Sequence, residues 1–312
     1  MSISGKISVA DDKSIPPKAS IGDYITLLKP RVMSLVVFTA LVGFLVSPAH
    51  VSPFYGFLAI LCIAVGGGAA GALNMWYDAD IDAVMERTKN RPIPMGKISP
   101  KKAFIFGMVL ATLSVLVMGF CINWFAALFL AFTIFFYVVI YTIWLKRLTP
   151  QNIVIGGASG AFPPMIGWVA ATGTVSVECF LLFLIIFMWT PPHFWSLSLF
   201  SSLDYEAAGV PMMPNIRGEN SAKKQILFYT VLMVICAVGP YIIGLGGVFY
   251  GIFSTILGII FIHLSYRLWK ADTHDATILM ARKTFFFSLF YLAALFGILL
   301  IEFLYVFLRS LS

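Results

Sequence analysis

Asn74, Asp78 and Asp82 stand at a strict four-residue spacing in the stretch NMWYDADIDAVMERTKNRPIP, which begins at Asn74. On a helix, four residues advance about 400°, so the three side chains drift only about 80° around the axis and form one polar stripe about 12 Å long. Asp80 lies about 200° from Asp78, off that stripe. Two carboxylates one turn apart repel each other and destabilise an isolated helix. A divalent cation between them and an anion removes the repulsion, and Mg2+ favours one or two protein carboxylates plus substrate phosphates. The spacing therefore points to a Mg2+-bridged diphosphate held by Asn74, Asp78 and Asp82. Arg87, Lys89, Arg91 and Lys97 follow within reach of phosphate oxygens, arginine as a bidentate fork. The competing reading is a solvated helix end laced with salt bridges.

Two further groups carry chemistry. Lys146 and Arg147 precede Gln151 and Asn152; they serve either as topology markers or as additional diphosphate ligands. Later, MWTPPHFWSLSLFSSLDYEAAGVPMMP supplies His193 and Asp204. A histidine inside a membrane segment is a functional candidate by default, set against an ordinary member of an interfacial aromatic cluster. His50, His263 and His274 have weaker cases. Pro191 and Pro192 are expected to break or kink their segment.

The elements that must position these groups are membrane spans. Of 312 residues, 60% are hydrophobic and only 11% charged, far more apolar than a soluble domain of this length needs. Runs of about 20 apolar residues recur nine times, at roughly 32–50, 54–75, 103–121, 124–144, 153–172, 178–200, 226–245, 248–268 and 285–308. The expected fold is an all-α polytopic helical bundle around a central cavity open to the cytoplasmic face. Residues 1–24 are expected to be a disordered cytoplasmic tail, and 25–312 one membrane domain. With nine spans, all 21 Lys and Arg except Arg309 fall on one side, which the positive-inside rule makes cytoplasmic. The acids share that side except Glu178 and Glu302, and the opposite connections are too short to hold a site. The glycine-rich stretch AVGGGAAGAL at 64–73 reads as close helix packing, with room beside it for a bulky lipid-soluble substrate. An N-terminus with Asp11 and Asp12 but no Arg does not look like a transit peptide, so a bacterial inner membrane is expected. Four dispersed cysteines, none in a CxxC, indicate neither zinc nor a disulfide framework. Nothing in the pattern calls for nucleic acid.

The aspartate stretch resembles the first aspartate-rich motif of the UbiA superfamily of intramembrane prenyltransferases. Finer motifs resemble its haem-farnesylating branch: RT-x-x-RP from Arg87 to Pro92, YT-x-WLKR-x-TPQNIVIGG from Tyr141 to Gly157, GA-x-PP-x-x-GW from Gly160 to Trp168, and PPHFW followed by DY-x-x-AG-x-PM between Pro191 and Met212. The resemblance covers residues 29 to about 225. It implies transfer of farnesyl from farnesyl diphosphate to a haem b vinyl group, with addition of water and Mg2+ as cofactor. It carries metal and diphosphate roles to Asn74, Asp78, Asp82 and Asp204, and a haem-binding role to His193. It also implies membrane lipid, haem A synthase or a second copy of the chain as partners. Where the superfamily repeats D-x-x-x-D, this chain has Ser201 and a single Asp204, with Glu206 nearby. A quinone or other aromatic acceptor, a transporter with Gly- and Pro-broken helices, and a CDP-alcohol phosphotransferase are the alternatives. The last of these lacks its D-G-x-x-A-R pattern here.

Overall fold

The computed structural model describes residues 19–49 and 51–311. Residues 1–18 of the expected tail lie outside the described residues, as does His50; the first helix begins at Ile21. Fourteen α-helices follow one another among the described residues, with no strand: α1 (Ile21–Leu27), α2 (Pro30–Leu45), α3 (Pro53–Tyr77), α4 (Ala79–Val84), α5 (Pro100–Cys121), α6 (Trp124–Phe135), α7 (Lys146–Leu148), α8 (Asn152–Thr172), α9 (Val177–Phe200), α10 (Ser202–Ala207), α11 (Met213–Arg217), α12 (Glu219–Ile242), α13 (Val248–Lys270) and α14 (His274–Leu311). Between α6 and α7 the chain continues as a π-helical segment, Phe136–Leu145. Eight helices are long and apolar enough to cross a membrane, and α1 with α2 forms a ninth span bent by 54°. The chain is an integral membrane protein built as an all-α bundle.

Outward-facing side chains are apolar because lipid replaces water there: Phe120 is 75% exposed and Phe57 67%. Small residues decide where backbones touch. A Cβ on Gly167 would lie 2.1 Å from the Ala40 carbonyl oxygen, and one on Gly43 2.2 Å from the Pro164 carbonyl oxygen, so α2 and α8 approach backbone to backbone. On α3, Gly66 faces Leu130, Ser114 and Ile134, Gly68 faces Leu28, and Gly71 faces the Leu27 carbonyl and the Lys29 stem. The 64–73 stretch is thus packed on both sides. The core between α9, α12, α13 and α14 is aromatic and aliphatic, with Trp189, Phe261, Tyr291 and Phe296 buried. Asn123 caps α6 through Ala126 N and donates to the Val169 and Ala170 carbonyls, which pins the start of α6 to the end of α8.

Three expectations need correction. Pro191 and Pro192 do not break their span: α9 runs without interruption from Val177 to Phe200. Prolines are tolerated in membrane helices that are packed by their neighbours, and here Pro191 and Pro192 are both buried in the bundle. The break comes instead at Leu28–Lys29, inside what read as the approach to the first span. The last helix holds 38 residues, about 57 Å at 1.5 Å per residue. Its first turns extend beyond the apolar layer, and an apolar window cannot detect helix that continues into water.

Gly167→Ala is expected to force α2 from α8 and cost about 1–3 kcal/mol, as overpacking does. Gly160→Ala, whose Cβ meets nothing within 4 Å, serves as the control and is expected to leave the protein as stable or more so. Thermal unfolding of the two variants in the same detergent separates them.

Candidate functional site

The stripe forms where α3 hands over to α4. Asp78 sits between them at φ −86°, ψ 12°, yet helical hydrogen bonds run through it, Asp78 N to Asn74 O at 2.9 Å and Asp82 N to Asp78 O at 2.8 Å. Asn74, Asp78 and Asp82 therefore keep their common face. They are 4%, 1% and 2% exposed, out of reach of bulk water. Asp80 points away, with its side chain 63% exposed.

Each buried acid has a cation from another element. Lys146 donates to Asp78 Oδ2, and Arg147 Nη2 lies 3.7 Å from Asp78 Oδ1. Arg91 Nη1 spans both Asp82 oxygens at 2.8 and 2.7 Å. Asn74 Nδ2 donates to Asp78 Oδ2 (2.8 Å) and to Thr142 Oγ1 (3.0 Å). Its oxygen accepts from Lys29. Among the described residues, Asp78 Oδ1 is buried without a hydrogen-bond partner.

Local chemistry explains these placements. Thr142 gives its proton to the Tyr137 carbonyl five residues back, a π-helical spacing, and so must accept from Asn74. The π-helical segment carries Lys146 to α3, with Tyr141 folded over Gly156, where a Cβ would lie 2.1 Å from the ring. Such segments are rare and frequent at functional sites. After α4 the chain doubles back. The Thr88 hydroxyl donates to the Asp82 carbonyl at 3.0 Å, Gly96 turns with φ +71°, and Ile93 and Ile98 bury themselves beside Leu27 and Met75. That return brings Arg91 to Asp82 and accounts for the Thr and second Arg of RT-x-x-RP.

Other candidates lie elsewhere. Lys89 pairs with Glu86 at the surface, 2.6 Å. Lys97 pairs with Asp23 at 3.3 Å, and the Asp23 carboxylate also accepts from the Ser20 backbone N–H at 2.9 Å. Arg87 reaches the Tyr205 hydroxyl at 3.5 Å. Arg147 grips Asp80 as a fork, two bonds of 2.8 Å, and this hydrogen bonding keeps the Asp80 carboxyl low. Asp204 is half-buried on α10. Its helix borders a cavity of about 300 Å³ shared by Asp80, Ile81, Arg147 and Ala207 to Gly209, so both aspartate segments meet at one end of the bundle. Asn152 instead ties the Thr149 and Pro211 carbonyls together. His274 lies 3.5 Å from Glu219 at the surface, and His263 is exposed on α13. His193 is buried between α9 and α14, with Nδ1 2.7 Å from Ser288 Oγ. Among the described residues no three His, Cys, Asp or Glu side chains cluster as a metal site, and the four cysteines are free.

Lys29 is the residue that sequence reasoning counted only as a marker of topology. It adopts φ 51°, ψ 53°, the one positive φ outside glycine among the described residues, at a cost of about 1–3 kcal/mol. The signal available was Pro30, since the residue before a proline is steered away from the helical region.

Against known proteins, residues 36–290 match the model of the UbiA prenyltransferase family. Protoheme IX farnesyltransferase of Bartonella tribocorum is 82% identical over 97% of each chain. The protein of that name from Brucella canis is 58% identical over 97% of this chain and 96% of its own. Among solved structures, one of digeranylgeranylglyceryl phosphate synthase superposes with a TM-score of 0.74 at 21% identity, covering 89% of this chain and 98% of its own. A UbiA homologue from Archaeoglobus fulgidus bound to GPP and Mg2+ does so at 0.66 and 17%, covering 89% and 99%. The family model and the curated relatives agree in one conclusion: the chain belongs to the UbiA prenyltransferase family.

Proposed function

We propose that this chain transfers the farnesyl group of farnesyl diphosphate to a vinyl group of haem b, with addition of water, to give haem O and diphosphate. The observation that carries the reading is the buried stripe itself. Its acids and cations are paired with one another, Asp78 with Lys146 and Asp82 with Arg91, and the set can exchange partners as a unit. With substrate present, the acids would hold the metal and the cations would face phosphate, so that no buried charge would be left alone. The acceptor rests on the 82% identity to a relative named Protoheme IX farnesyltransferase over 97% of both chains.

The donor set fits Mg2+. It is made of hard oxygen ligands, and Asp78 Oδ1, which accepts no hydrogen bond and has Arg147 only at 3.7 Å, is a carboxylate oxygen with room for a closer positive neighbour. A pair of carboxylates is too few to complete octahedral coordination, which suits an ion that shares its shell with diphosphate oxygens. Asn74, Asp78 and Asp82 would hold it, with Asp204 contributing from the second segment. When bound, the ion would draw negative charge from the departing diphosphate.

The chain's own residues do the rest. As the farnesyl C–O bond breaks, its electron pair leaves on diphosphate, where Lys29, Arg91, Lys146 and Arg147 oppose the growing charge. The vinyl π electrons form the new carbon–carbon bond. Water captures the resulting cation and releases a proton. Before that step water must be kept away, and the aromatic interior around Phe129, Phe162 and Phe183 supplies a dry wall. The side holding Arg91 and Lys146 is cytoplasmic by its excess of Lys and Arg, in a bacterial inner membrane with the N-terminus on the same side.

Membranes given haem b, farnesyl diphosphate and Mg2+ are expected to form haem O, detected by mass, and to stop when the metal is chelated. Asp78→Ala and Asp82→Ala are each expected to lose about 100-fold or more in kcat, the scale of removing a preorganised electrostatic partner, while Asp80→Ala stays within a few-fold. Equal loss at all three would remove the shared-face argument. Lys29→Met is expected to lower kcat/KM for farnesyl diphosphate about 10- to 100-fold, the worth of one hydrogen bond to a charged group; unchanged kinetics would take Lys29 out of the diphosphate clamp. Arg91→Lys, which keeps the charge but not the planar fork, is expected to lose most of its activity, and full activity there would exclude a fork on phosphate.

A further inference from the structure

Seven residues before the end of α9, about 10 Å along its axis, the imidazole of His193 is clamped flat. Trp189 stacks on one side with centroids 4.2 Å apart and 17° between planes. Phe285 of α14 stacks at 4.6 Å and 22°, and Phe194 meets the ring edge-on at 5.0 Å. With its faces covered, the ring can act only through its edge nitrogens.

The proton on that edge can be placed by counting. His193 Nδ1 is 2.7 Å from Ser288 Oγ. A serine hydroxyl has one proton, and Ser288 gives it to the Phe285 carbonyl at 2.6 Å. Nδ1 must therefore carry the hydrogen and donate it to Ser288. A neutral imidazole has no second N–H, so Nε2 holds a lone pair, and among the described residues nothing hydrogen-bonds to it. The arrangement is braced: Trp189 Nε1 donates to the Ser288 carbonyl at 2.8 Å, so the tryptophan that covers the ring also holds the serine's backbone. Nε2 is not one of the fully enclosed polar atoms that lack a partner among the described residues, so it is open to an incoming ligand rather than sealed in the packing. Metal-ligating histidines have this form, with one nitrogen donating to an oxygen that fixes the tautomer and the other left for the metal.

We propose that His193 Nε2 is an axial ligand to the iron of the porphyrin substrate, and that Ser288 is a positioning residue that fixes the tautomer and plane of that ligand. The inference rests on the reading of the acceptor as haem. The bond is dative, from nitrogen to iron; no electron changes hands and no proton moves. It anchors the macrocycle within the apolar layer, below the charged stripe, and the side chain that selects an iron porphyrin over a metal-free aromatic acceptor is then His193.

The test uses full-length protein in nanodiscs, loaded with ferrous haem b without farnesyl diphosphate, and reads the iron–histidine stretch by resonance Raman. Wild type is expected to show that band. Ser288→Ala is expected to retain haem but shift the band to lower frequency, because the Nδ1 proton loses its acceptor, and to bind haem about tenfold or more weakly. His193→Gly is expected to lose the band and regain it with added imidazole, which also shows that the variant is folded. An unchanged band in Ser288→Ala removes Ser288 from its role. A band that persists in His193→Gly without imidazole overturns the coordination. If wild type makes haem O yet shows no iron–histidine band, the coordination fails while the farnesyl-transfer reading stands. If it neither binds haem nor makes haem O, both fail together.

Discussion

Two carboxylates, 1% and 2% exposed, close the second span. An ion taken out of water loses hydration worth several kcal/mol even after the protein relaxes, and removing a single partner from such a pair costs about 3–5 kcal/mol. The surroundings of Asp78 and Asp82 are organised by that penalty. Lys146 and Arg91 are needed for the fold before they are needed for any substrate. A ligand that enters must bring as much countercharge as it displaces, which a metal diphosphate does and a neutral amphiphile does not. The selectivity of the mouth of the bundle follows from the cost of burial.

The same demand explains irregularities that would otherwise be costly. Lys29 accepts a left-handed backbone at a bend of 54° between α1 and α2, and its amine thereby reaches Asn74. Ten residues of π-helix carry Thr142 and Lys146 to α3. The loop beyond α4 folds back under Thr88 so that Arg91 meets Asp82. Each departure from regular geometry supplies a hydrogen bond or a charge to one stripe, and each is held by packing nearby, Ile93 and Ile98 for the loop and Tyr141 on Gly156 for the π segment.

Much of this was legible in the sequence because it depends on periodicity and hydrophobicity. Apolar length gave the spans, and the four-residue spacing gave the shared face of Asn74, Asp78 and Asp82 and set Asp80 apart. Pairing was not legible. Lys89 and Lys97 look equivalent to Arg91 along the chain, but only Arg91 is returned to the stripe, because a fold-back is decided by where Ile93 and Ile98 bury. Lys29 was hidden for a related reason: a cation near a membrane edge satisfies the topology rule whether or not it bends inward. The continuity of α9 through Pro191 and Pro192 was misread because a lone helix breaks at proline while a packed one need not.

The π-helical segment also acts as a ruler. Phe136–Leu145 contains no charged residue, so point changes there look harmless so long as they stay greasy. Its length is another matter. Loss of one residue would turn everything downstream by about 100° until the connection to α8 absorbed the error, swinging Lys146 off Asp78 and leaving a carboxylate stranded in hydrocarbon. Among natural variants of this chain, insertions and deletions should be scarcer in that plain apolar turn than in the charged loop beside it.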